Sequence, residues 1–130
     1  MSKRVIIICT TLLLLGIAGG FDMLSRLTQG VVTFNILILF LPTSICLFLA
    51  IPGSRYMTSI VFFLIYLFLA VALVAPLACL SALAIQVNGV GISGPIAFPL
   101  VFVIVAVIGS VFALMHWVIY STAFDEHLKR

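Results

Sequence analysis

Residues 31–51 read VVTFNILILFLPTSICLFLAI, 21 residues without a single charge. A helix of that length rises about 30 Å, the thickness of a bilayer's hydrocarbon core. A strand reading fails because transmembrane strands need only about 9–11 residues and alternate apolar with polar positions. No such alternation runs through this stretch. It is bounded by Gly30 on one side and by Pro52-Gly53 on the other.

Working outward, Val5–Phe21 is a second uncharged run. At 17 residues it is short of a full crossing unless the helix continues. The polar residues Asp22, Ser25, Arg26 and Gln29 follow at i, i+3, i+4, i+7, with Leu24 and Leu27 between them. That spacing predicts a continued helix with one wet face, stopped at Gly30. Downstream, Thr58–Ile85 is apolar and holds Pro76, which predicts a kink. Gln86–Pro95, with Gly89, Gly91, Gly94 and Pro95, reads as an uncharged loop. Ile96–Tyr120 is the last apolar run, with Pro99 in its first turn, and Ser121–Arg130 reads as a solvated helix end.

The expected architecture is therefore all-α. It is one integral membrane domain over 1–130, a four-helix bundle with spans near 5–29, 31–51, 58–85 and 96–120. The composition agrees: 65% of residues are hydrophobic, 7% are charged, and the mean hydropathy is +1.48. A soluble domain carries about a quarter charged residues. No internal repeat is evident, so the inverted-repeat design of many transporters is not expected.

Basic residues set the expected orientation. Lys3, Arg4, Arg55, Lys129 and Arg130 fall on one side of the four-span scheme and only Arg26 on the other. The basic side faces the cytoplasm, so both termini are expected there, in a multi-pass protein of the cell (plasma or inner) membrane. Tyr56, Trp117 and Tyr120 then form an aromatic belt at that interface. An alternative for the first run is a cleavable signal peptide, with Lys3-Arg4, an apolar core and the small residues Gly16–Gly20. Its apolar stretch is longer than a signal core, and a second span follows at once.

Small residues at spacing four recur in the spans: Gly16 and Gly20, Cys46 and Ala50, Ala78 and Ala82, Ala106 and Ser110, Gly109 and Ala113. In lipid, such residues let helices approach closely, either within the chain or against a partner. Thr33, Asn35 and Thr43, with Thr10, Thr11, Ser81 and Ser110, are candidates for a polar seam. Their more common use is to bond their own or neighbouring helices.

Three cysteines without a CxxC pair exclude a disulfide framework. Cys9, Cys46 and His116 lie at similar depth in the expected topology and are the remote candidates for a copper or zinc site. Their spacing does not demand one, and the expectation is no metal and no cofactor. No Asp, Glu, Lys or Arg falls inside an apolar core, whereas ion- and proton-coupled transport uses such residues. Only three acidic residues exist, so no acid–base pair for catalysis is expected. The net charge of +3 is dispersed along the chain, which does not mark a nucleic-acid surface. The expected role is a non-enzymatic accessory or assembly subunit, or a self-associating bundle, with the bilayer and a membrane protein or a second copy as partners. The alternative is an oligomeric channel or permease for a small neutral solute. A metal-handling protein is the remote third.

Overall fold

Gly30 does end the first helix. α1 runs Lys3–Thr28, and Gly30 follows its cap at φ +76°. The Gly30 and Val31 amides donate to the carbonyls of Leu27 and Arg26, closing the helix with the paired bonds of a Schellman motif. In this computed structural model, residues 1–78, 84–87, 90–93 and 97–129 are described, with side chains for 1–74 and 99–129.

The second apolar run departs from expectation. It is not one membrane-length helix. Residues 31–35 carry no helix, Ile36–Leu39 wind as a 3-10 helix, and α2 covers only Phe40–Phe48. At about 2.0 and 1.5 Å per residue, the helical part reaches only about 21 Å. Two residues explain this. The side-chain Oδ1 of Asn35 accepts the Leu37 amide at 3.1 Å and caps the 3-10 helix. Pro42 lies in the first turn of α2, and its ring opposes α-helical geometry at Ile38, four residues earlier.

α3 covers Ser54–Ala78, so it starts before Thr58 and ends two residues past Pro76. The expected end at Ile85 falls instead inside a strand. Most of the expected loop 86–95 belongs to an antiparallel hairpin, β1 (Ala84–Val87) paired with β2 (Val90–Ser93), with Val87 opposite Val90. α4 covers Ala97–Ile119. The tail is helical, with Thr122–Leu128 forming α5, but it is not merely solvated, because Phe124 is fully buried.

The fold is thus all-α with one short hairpin. Among the described residues, three helices are long and apolar enough to cross a membrane: Lys3–Thr28, Ser54–Val74 and Pro99–Ile119. Ile36–Phe48 is apolar but shorter.

The chain divides into two compact units, Met1–Phe63 with Leu114–Arg130, and Leu64–Ala113. The first unit holds a continuous core of fully buried side chains: Val5, Leu12, Phe40, Leu47, Phe62, Ile119 and Phe124. The Phe40 and Phe62 rings meet at 5.3 Å. α1 supplies Val5, Ile8, Cys9 and Leu12 to this core. The second unit contains the later part of α3, the hairpin and most of α4.

Candidate functional site

α2 runs back along α1 through a notch of small residues. A Cβ on Gly16 would lie 2.5 Å from the Leu41 backbone nitrogen, and one on Gly19 2.7 Å from that of Ile38. A Cβ on Gly20 would meet only the Ile38 side chain, at 3.7 Å. The close approach therefore uses Gly16 and Gly19, one turn apart, with Gly20 at its margin. At one end of this pair the Asp22 carboxylate accepts from Asn35 Nδ2 and from Arg26 Nε, both at 3.1 Å. At the other end Cys9, Leu13, Ser44, Ile45, Phe48 and Leu49 line an apolar cavity of about 200 Å³.

The hydroxyls of the expected seam are turned inward on their own helices. Thr43 donates to the Leu39 carbonyl, Thr11 to Ile7 and Ser110 to Ala106. Ser44 and Thr58 do likewise to Leu41 and Ser54. Thr33 Oγ1 is buried without a hydrogen-bond partner among the described residues. Asn35 serves as a cap and as a tie to Asp22.

In the second unit, Ala106, Gly109, Ser110 and Ala113 line a groove of about 550 Å³ whose other wall includes Tyr66 and Leu69. A Cβ at Gly109 would touch only the tip of Leu69, at 3.7 Å. These small residues therefore mark an open apolar wall, unlike the closed notch of Gly16 and Gly19. Ala78 ends α3, while Ala82, Ser81 and Cys79 lie outside the described residues.

Cys9, Cys46 and His116 have different surroundings. Cys9 is buried at the cavity, and Cys46 is half-buried. His116 stacks on Phe62 with ring centroids 4.9 Å apart and nearly parallel planes. Among the described residues no three His, Cys, Asp or Glu side chains gather around a point where an ion could sit.

What sequence reasoning missed is a polar cluster joining α3, α4 and α5 within the first unit. Arg55 Nη2 lies 2.7 Å from Asp125 Oδ1, and its guanidinium stands 5.0 Å over the Tyr120 ring. The Tyr120 hydroxyl and Ser59 Oγ are hydrogen-bonded at 2.7 Å, and His116 Nε2 reaches the same Ser59 oxygen at 3.2 Å. His127 Nε2 lies 3.0 and 3.1 Å from the Leu47 and Phe48 carbonyl oxygens, at the C-terminus of α2. Since both are acceptors, Nε2 carries a proton and donates to carbonyls at the end of the helix, of which that of Leu47 also accepts the Ala50 amide. The available signal was the pairing of Phe124 with Leu128 at i, i+4 among charged neighbours, the pattern of a short amphipathic helix.

Tyr56 and Trp117, the expected interfacial aromatics, are both exposed in this unit. Comparison of the chain with protein-family models, with curated proteins and with solved structures finds no match.

Proposed function

We infer that the chain is a non-enzymatic, multi-pass protein of the cell membrane that serves as an assembly or accessory subunit. The observation that carries this reading is the open wall of Ala106, Gly109, Ser110 and Ala113. In lipid, helix association rests on close packing and interhelical hydrogen bonds, and small residues are what allow close approach. A wall of such residues, with room at Gly109 for a Cβ that would touch only the Leu69 tip, is suited to a further helix. Supporting it, the hydroxyls of Thr11, Thr43 and Ser110 bond carbonyls one turn back along the chain, which leaves them little to offer the polar lining of a solute passage. The second apolar run returns the chain toward the N-terminal half of α1, which fits a four-pass path with both termini in the cytoplasm.

The test is extraction in a mild detergent, followed by measurement of particle mass and composition for the parent and for Gly109→Leu. Co-purification of a different membrane protein, reduced in the variant, supports the subunit reading. A pure homo-oligomer that passes a small neutral solute in vesicles would replace it with the channel reading.

A further inference from the structure

We propose that α5 is a releasable latch that holds the end of α2 in place and thereby keeps Cys9 covered at the α1–α2 cavity. Three contacts of different kinds fasten this seven-residue helix. Phe124 is fully buried, Asp125 pairs with Arg55 at the start of α3, and His127 binds the last carbonyls of α2. The last contact couples latch to cavity directly. His127 grips the Leu47 and Phe48 carbonyls, while the side chains of Phe48 and Leu49 form one wall of the cavity that Cys9 lines.

The element is built to detach as a unit. A helix of seven residues is not stable by itself, so α5 is ordered only while its contacts hold. Two of the three contacts are polar, and Asp125 is 43% exposed, which makes its ion pair a weak tie. The turn that α5 secures is also strained. Ala50, two residues past α2, sits at φ +53°, a left-handed conformation that a Cβ disfavours. Release of His127 removes a restraint from a segment with energy to gain by rearranging, and local opening of this kind lies well below global unfolding. Once the final turn of α2 moves, Cys9, now 3% exposed, becomes reachable.

Cys9 is the reporter. In a protein with Cys46→Ser and Cys79→Ser, purified membranes are treated with N-ethylmaleimide and the rate of Cys9 modification is followed by mass. The parent is expected to react slowly. His127→Ala is expected to raise the rate about ten-fold, the shift in open population that loss of such a hydrogen-bonded contact produces; Asp125→Ala, which removes the weaker exposed pair, is expected to raise it about two- to three-fold. His127→Gln keeps a side-chain N–H donor near the Nε2 position and is expected to stay within about two-fold of the parent. Hydrogen exchange of the α1 amides is followed in the same variants and is expected not to change. Equal Cys9 rates in all variants would overturn the latch. So would His127→Gln reacting as fast as His127→Ala, or a parallel loss of protection along α1, which would mean that the whole unit has loosened.

Discussion

Gly16 and Gly20 look alike in the sequence, but a methyl group added at each would strike different things. At Gly16 it would meet the Leu41 main chain, which cannot swing aside, and at Gly19 that of Ile38. At Gly20 it would meet the end of a flexible side chain at an ordinary distance. Gly16→Ala and Gly19→Ala are therefore expected to lower stability in detergent by about 1–3 kcal/mol each, the usual cost of overpacking. Gly20→Ala is expected to leave it unchanged. Thermal unfolding of the three variants side by side checks this ordering. Ala50 presents the opposite case. It occupies the left-handed position of a Schellman closure, with the Ala50 and Ile51 amides donating to the Leu47 and Cys46 carbonyls. Glycine is the residue suited there, so Ala50→Gly is expected to stabilise by about 1 kcal/mol, after glycine's added freedom in the unfolded chain is subtracted. A higher unfolding midpoint on the same scale is the expected result.

At the scale of elements, charge-free length was legible and internal punctuation was not. The extents of α1 and α4 follow from where polar residues interrupt the apolar runs. The second run misleads because hydropathy counts Asn35 and Pro42 as two residues among 21, whereas geometry gives them the deciding vote. One starts a 3-10 turn through its side chain, and the other opposes the α-helical winding that would precede it. The hairpin of β1 and β2 falls largely within the stretch 86–95 that its glycines and proline marked as a loop, and its first strand begins inside the run expected to be helical. α5 was hidden for another reason. Ion pairs and helix caps between distant parts of a chain leave no periodic trace, so Arg55 with Asp125, and His127 with Leu47, become visible only in three dimensions. The buried ring of Phe124 anchors that helix. Phe124→Ala is expected to free α5, so that the amides of residues 122–128 exchange with deuterium as fast as an unfolded peptide while those of α1 keep their protection. Hydrogen exchange read by mass spectrometry checks it, and unchanged exchange over 122–128 would mean that the polar contacts suffice.

At the scale of the molecule, orientation rests on the basic residues and is testable at two exposed positions. Val32, which is 87% exposed, follows α1, and Pro52 lies in the turn between α2 and α3. With all native cysteines replaced by serine, an impermeant thiol reagent outside intact cells is expected to modify Val32→Cys and not Pro52→Cys. Labelling of both, or of the second alone, would reverse or abolish the five-to-one reading of charge. The notch on α1 also bears on how the protein comes to be made. A segment only 13 residues long in its helical part, Ile36–Phe48, is a poor candidate for entering lipid unaided. Its partner leaves the ribosome first and already presents, at Gly16 and Gly19, a surface cut to receive it. On this view α1 is a template as well as an anchor: the order of synthesis delivers the docking groove before the segment that needs it, and the two enter the membrane as a pair. A first helix of equal greasiness without the groove would insert as readily and leave its successor stranded at the surface.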